Sequence, residues 1–310
     1  MLKMQRLLSS LLGKEQACQQ PASSKNAEKA AIGRLHENNY FVDPSFRLLM
    51  GLRNSRNKLA KAGPEWRLNR KDKAFRYIRN QGFVHPEVFQ ARCKLNDLKF
   101  FSRGVIKPHL GANARGVYLV FSPERIFHPA SQSWLSSWDA LIKALRDDLA
   151  TNRVRKDLWS VEELITEDEA GEVPGRDLKF YCFYGQVGLV LEVQRFQGLA
   201  YCEWDSQGQF LNTGKYQDQR FLGRGFTEAQ KQIAERLSET IPAPFMRIDF
   251  ICSAKHSDGM VFGEFTPRPG NLYKFDSESD KMLGEFYLKA ERRLEIDFLR
   301  QKKFAKVFVK

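Results

Sequence analysis

The chain has 310 residues, 42% apolar and 28% charged, the proportions of a soluble globular protein long enough to fill a large core and to divide into two or three lobes. Lys and Arg number 50 against 37 Asp and Glu, a formal net charge of +13, which draws polyanions (nucleic acid, anionic membrane, acidic polysaccharide, nucleoside phosphates) without choosing among them. Cys18, Cys93, Cys182, Cys202 and Cys252 are dispersed with no CxxC, and the five histidines form no HxH or HExxH, which disfavours a disulfide framework, a zinc site and a histidine metal site, and fits reduced cytosolic thiols.

Taken in chain order, "MLKMQRLLSSLLGKEQAC" has an apolar stretch too short to span a bilayer, soon interrupted by Lys14 and Glu15. It reads as a frayed leader, with a weak amphipathic helix touching a membrane surface as the alternative. Residues 15–30 are small and polar, a linker. The basic run from Arg47 to Arg79 contains no RRM-like aromatic pair, zinc-finger spacing or clear helix-turn-helix, so nucleic acid is disfavoured and a solvated helical surface expected. Residues 45–82 read as helices, with Phe75 and Ile78 on one face and Gly82 as a stop. Strand, loop and strand follow over 104–122, then an amphipathic helix over 137–151. A hairpin over 176–196 turns at Gly185-Gln186, and a second turns at Ser206 to Gly208. Thr227 with Gln230 matches a capping box opening a helix to about Glu239, and a last long helix is expected from about Ser279 to Arg300. Hairpins alternating with helices indicate an α+β fold rather than a parallel Rossmann sheet.

Two short apolar runs, "FMRIDFIC" and "MVFGEF", each carry one acid, Asp249 and Glu264. If they pair as an antiparallel hairpin with Cys252 opposite Val261, Asp249 falls opposite Glu264. Side chains so opposed lie about 4.5–5.5 Å apart and repel. A hard divalent cation removes the repulsion, and Mg²⁺ usually arrives with a nucleotide's phosphates because it keeps few protein ligands. The alternative is a pair of unrelated solvent-facing acids at a sheet edge. In "VIKPHLGANARGV", Lys107 ends a strand before a loop whose amides suit phosphate; an ordinary hairpin explains the stretch equally well when taken alone.

In order along residues 70–290, "KDKAFRYIRNQGF", "GVIKPHLGANARGV", "VEELI", "GRDLKFYCFYGQ", "FMRIDF" and "FGEFTPRPG" resemble the ATP-grasp superfamily, and more closely its TupA-like, teichuronopeptide-biosynthesis branch. The resemblance implies two α+β lobes gripping a nucleotide: a leader and linker over 1–30, a helical N-terminal region over 31–98, a lid lobe over 99–160 and a C-terminal lobe with the metal site over 161–310. It implies that Lys73 and Lys107 contact the phosphates of ATP, that Glu162, Glu163, Leu164 and Ile165 form the hinge holding adenine and ribose, and that Asp177 stands near the ribose. Asp249 and Glu264 would hold Mg²⁺, with Arg247 facing phosphate or intermediate. The chain departs from the family in two places. Thr266 stands where many members have asparagine, with Asn271 further along, and Ala112, Asn113 and Ala114 replace common glycines, with Arg115 supplying charge. His109 reads as a structural loop histidine. Pro267 and Pro269 would hold a rigid turn, Gly270 permit close approach, and Arg268 point toward the acceptor.

The activity so implied is ATP-dependent carboxylate–amine ligation through an acylphosphate, in the cytoplasm. The substrates would be an acidic small molecule or polysaccharide carboxylate and an amine donor. Alternatives are a peptide ligase or hydroxyl phosphotransferase on the same fold, a degenerate relative without activity, and a non-catalytic basic protein that binds polyanions.

Overall fold

The computed structural model describes residues 43–60, 63–109 and 114–308. The expected leader and linker, and the middle of the loop after Lys107, lie outside them. Helix α1 (Phe46–Ala60), a 3-10 turn (Pro64–Asn69) and helix α2 (Lys71–Asn80) open the described chain. Gly82 ends α2 as expected: at φ 77° it lets its own N–H reach Arg79 O, and the N–H of Phe83 reach Ile78 O (3.0 and 3.1 Å), the left-handed helix stop that glycine favours.

Six short strands form the first sheet: β1 (Val88–Cys93), β2 (Gly104–Pro108), β3 (Tyr118–Ser122), β4 (Arg125–His128), β5 (Ser133–Leu135) and β6 (Trp159–Glu162). They run antiparallel in the order β1-β6-β2-β3-β4-β5. Helix α3 (Trp138–Ala150), capped by Ser137, whose hydroxyl accepts from the N–H of Ala140, covers one face. Its Leu141 and Leu145 pack on Ile106, Tyr118, Val120, Trp159 and Val161. The period of two along β2 and β6 then decides what lies opposite. With Ile106, Trp159 and Val161 turned into that core, Lys107, Ser160 and Glu162 fall on the other face.

The second sheet has β7 (Asp177–Cys182), β8 (Val187–Gln194), β9 (Ala200–Trp204), β10 (Met246–Cys252) and β11 (Met260–Thr266), in the order β11-β10-β7-β8-β9 and again antiparallel. Both of its faces are covered. On one, Phe180, Ile248, Phe250 and Phe262 meet α2 and helix α4 (Glu228–Glu239), whose start carries both halves of the Thr227–Gln230 capping box. On the other, Tyr181, Leu189 and Leu191 meet Phe46 and Met50 of α1 and Leu283, Tyr287 and Ala290 of helix α5 (Ser277–Leu299). Strands are nearly all apolar where helices cover both sides, so the charges on the second face, at the end of β7, β10 and β11 that α1 and α5 leave bare, are conspicuous.

Two expected boundaries fall elsewhere. The segment 31–98, expected to be helical, ends in β1, an edge strand with mostly exposed side chains and so no hydrophobic period to betray it. The division at 160/161 runs through β6, because Val161 and Glu162 pair with β1 and β2 and belong to the first sheet. Strands β4 and β5 are not among the elements expected from the sequence, although Pro123 and Pro129 mark the turns on either side of β4. Among the described residues, no helix is long and apolar enough to cross a membrane.

Candidate active site

Asp249 and Glu264 are cross-strand partners in β10 and β11, but not in the straight register expected. Cys252 lies opposite Met260, not Val261, and the register shifts between Asp249 and Phe250. The cause is in "VFGEF". Phe262 and Phe265 are both buried in the same apolar core, although they are three residues apart and strict alternation would put them on opposite faces. Gly263 is the extra residue of a β-bulge that absorbs the mismatch and turns Glu264 onto the face of Asp249. A Cβ on Gly263 would stand 3.1 Å from the Asp249 carbonyl oxygen, so a side chain here crowds the facing strand.

The repulsion that a divalent cation is expected to remove is already met in part by neighbouring cations. Asp249, 4% exposed, accepts two hydrogen bonds from the Arg247 guanidinium, both 2.7 Å, and one from Lys179 Nζ at 2.5 Å. Burial pushes its carboxyl up, but Arg247 and Lys179 outweigh that and hold it down at about 2. Glu264 is half-exposed, and its nearest cation is Arg247 at 3.7 Å; enclosure in the cleft and then Asp249 push its carboxyl up. Thr266 is occupied, its hydroxyl 3.0 Å from Arg247 Nη2.

On the first sheet, Lys107 forms an ion pair with the buried Glu162. The second lysine at this spot is Lys71, 4.0 Å from Glu162, and not the expected Lys73. Residues two apart on a helix point about 200° away from each other, so the two lysines of "KDK" cannot share a face. Lys73 instead lines a separate pocket with Arg76, Tyr77 and Asn80. Lys71 lies between the sheets. Burial and then Lys107 pull its ammonium down to about 8, against the opposing pull of Glu162 and Glu264. The result is a chain of charges that runs from Lys107 and Glu162 on the first sheet, through Lys71, to Glu264, Arg247, Asp249 and Lys179 on the second.

A cavity of about 350 Å³ adjoins this chain, walled by Lys107, Glu162 and the segment Glu163–Ile165 on one side and Asp177 and Phe196 on the other. The backbone here bears on hinge binding. Glu163 N–H donates to Glu87 O (2.8 Å), its carboxylate accepts from Glu87 N–H (3.2 Å), and Ile165 O accepts from Gly175 N–H. Leu164 has no such partner among the described residues, which leaves its backbone groups open. Asp177 is held by Arg195 at 3.0 Å and Lys179 at 3.5 Å. A second, larger cavity of about 810 Å³ is lined by Lys71, His109, Arg115 and Glu264. Arg268 is exposed and lines neither cavity; its flanking prolines are buried, with Pro267 O accepting from Arg53 at 3.0 Å.

Sequence reasoning missed Lys215. It is 1% exposed, yet its Nζ has no hydrogen-bond partner and lies 4.2 Å from the centre of the Phe275 ring. Burial pulls it down to about 8, countered by Glu203, with Arg247 adding to the fall. A buried ammonium without a hydrogen-bond partner is costly, and the Phe275 and Tyr216 rings beside it offset part of that cost. The sequence "TGKYQ" gives no sign of this, because the burial comes from a loop folding back over β9.

Two antiparallel sheets joined by lysines and carboxylates, with helices packed outside them, form the α+β frame of an ATP-grasp protein. The chain belongs to the TupA-like ATP-grasp family, whose model matches residues 51–288. Solved structures similar to it include a D-alanine–D-alanine ligase from Bacillus anthracis complexed with ATP (13% identity, TM-score 0.43, 84% of this chain and 77% of that one). Others are the ATP-grasp ligase PsnB complexed with a minimal precursor (13%, 0.40, 72% and 61%) and an L-amino acid ligase from Bacillus licheniformis (13%, 0.38, 68% and 43%). The chain thus spans less than two thirds of the last two. No curated protein sequence matches it.

Proposed function

We propose that the protein is an ATP- and Mg²⁺-dependent carboxylate–amine ligase of the cytoplasm, acting in the synthesis of a bacterial surface polysaccharide or polysaccharide–peptide. The observation that carries this reading is the line of charges from Lys107 to Asp249, with the unpaired Lys215 behind it. Adenine would enter the smaller cavity, where Leu164 offers a free N–H and C=O and Asp177 faces the ribose side. Lys107 and Lys71 would take the phosphates, exchanging their hold on Glu162 for a more highly charged partner.

The carboxylates fit a magnesium ion in a limited way. Among the described residues no three His, Cys, Asp or Glu are grouped to hold a metal, and Asp249 shares its oxygens with Arg247 and Lys179. A single half-free carboxylate, Glu264, beside one shared carboxylate suits an ion that takes its other ligands from phosphate and water. When bound, Mg²⁺ would neutralise phosphate charge. Arg247, braced by Asp249 and Thr266, would hold the transferred phosphoryl group. A substrate carboxylate oxygen attacks the γ-phosphorus and ADP leaves; an amine then attacks the acyl carbon and phosphate leaves. Lys107 and Lys71 carry the charge through both steps, and no protein nucleophile is required.

The proposal is tested by titrating the protein with ATP with and without Mg²⁺, then measuring ADP release with uronic-acid substrates and hydroxylamine. Magnesium-dependent ATP binding and a hydroxamate, the trapped acylphosphate, are expected. ADP release that yields a stable phosphoester and no hydroxamate would instead support transfer to a hydroxyl.

A further inference from the structure

The end of α5 and the segment after it form a surface that the ligase reading leaves unused. Ile296, Phe298 and Leu299 are 46%, 53% and 83% exposed. Single apolar side chains on a surface are ordinary, but three within four residues at one helix end make a patch. The stretch 295–308 also holds Arg300, Lys302, Lys303 and Lys306 against Glu295 and Asp297, and Asp297 is already held by Lys302 at 2.8 Å.

These groups are mounted on a fixed segment. The chain turns at Gln301, φ 59°, and the N–H of Lys302 donates to Asp297 O at 2.9 Å. Phe304 meets the Phe298 ring edge-on, centres 5.5 Å apart. Further along, Val307 O accepts from Arg67 at 2.8 Å, and the buried Phe308 packs on Tyr77 with ring centres 5.3 Å apart. Phe304, Ala305 and Val307 thus pack on the core while Lys303 and Lys306 stay exposed. Two pockets of about 530 and 360 Å³ meet at Tyr77, Gln81 and Ala305; the first carries Arg236, Lys302 and Lys303, the second Lys73, Arg76 and Lys306. Of these cations only Lys302 has an ion-pair partner among the described residues. Lys73 and Arg76 belong to this surface because α2 aims them away from Lys71 and the cleft.

We propose that this surface docks the protein on a lipid bilayer with anionic headgroups, Ile296, Phe298 and Leu299 dipping into the acyl boundary while the lysines and arginines around them meet the headgroup phosphates. Charge complementarity selects this occupant. A second copy of the chain, in a two-fold contact, would set Arg300, Lys303 and Lys306 against the same charges and be repelled. A soluble polyanion would match the charges and leave the apolar side chains in water. Only a bilayer surface takes both at once. The proposal goes beyond the ligase reading and stands apart from it.

Flotation of the full-length chain with vesicles of phosphatidylglycerol or of phosphatidylcholine tests it, on the wild type, Ile296→Ser/Leu299→Ser and Lys303→Glu/Lys306→Glu, each with its Tm. The wild type binds phosphatidylglycerol vesicles, more weakly as salt rises, and leaves phosphatidylcholine vesicles unbound. Both double variants bind at least tenfold more weakly, since one lysine near an anionic surface contributes about fivefold in affinity. Both keep the wild-type Tm within a few degrees, because the substituted side chains are exposed, which separates a lost contact from lost folding. Wild-type binding kept by either variant overturns the proposal. If the serine variant keeps it, the surface takes soluble polyanions by charge alone; if the glutamate variant keeps it, the lysines take no part. A wild type that ignores both vesicles and sediments as a dimer, which the serine variant dissolves, also overturns it and assigns the patch to a second copy.

Discussion

Lys215 shows how the burial of a single side chain carries a cost that depends on pH. Its ordinary value is near 10.5 and burial lowers it to about 8. Between these limits the unfolded chain holds a proton that the folded chain has released, so stability rises with pH across this window. Measured by denaturant titration, the difference between wild type and Lys215→Met is expected to move in the wild type's favour by about 2–3 kcal/mol from pH 7 to 10.5. A difference that stays flat would mean that Lys215 is paired in the folded protein. At this scale the sequence was partly legible. Asp249, Glu264, Lys107 and Glu162 stand on strands whose alternation can be counted, and the structure brings them into one line. Lys215 and the preference for Lys71 over Lys73 depend on burial and on the pitch of a helix against a distant strand, which no local pattern records.

Among the elements, α2 decides which lysine serves the site. Lys71→Ala is expected to lower ATP turnover by 100-fold or more, and Lys73→Ala to leave it within about threefold, because the helix aims them about 200° apart. Equal losses in both variants, measured as ADP release, would mean that α2 is wrongly oriented. The cap of α4 gives a calibration away from the site: Thr227→Ala should cost about 1 kcal/mol of stability and leave turnover alone, checked by thermal melts beside the same assay. Helix ends with capping signals and hairpins with glycine turns were readable in advance. The β11 bulge was not recognised, although its sign was present in two core phenylalanines three residues apart around a glycine. Edge strands β1 and β5 left no trace, since they bury too little to impose a period, and β4, though buried, is only four residues long.

For the whole molecule, the two sheets are held together where the first curls over the smaller cavity. Gln132, at φ 52° near the β4–β5 turn, donates to Arg195 O (2.9 Å) and accepts from Gly198 N–H (2.6 Å), while Phe127 and Trp134 pack on Phe196. Contacts this few and this near the surface suit a lid that opens to admit a nucleotide. Only the family resemblance, not periodicity, pointed to this two-lobed grip, because contacts between distant segments leave no local signature.

The central claim is that Lys107 on one sheet and Glu264 on the other act on a single Mg-ATP. The most direct measurement is Mg-ATP affinity and ADP release for Lys107→Ala and Glu264→Ala, each with its Tm. Both variants should keep a wild-type Tm within a few degrees and lose turnover by 100-fold or more, and Glu264→Ala should bind ATP equally with and without Mg²⁺. Wild-type turnover in either folded variant would contradict the account.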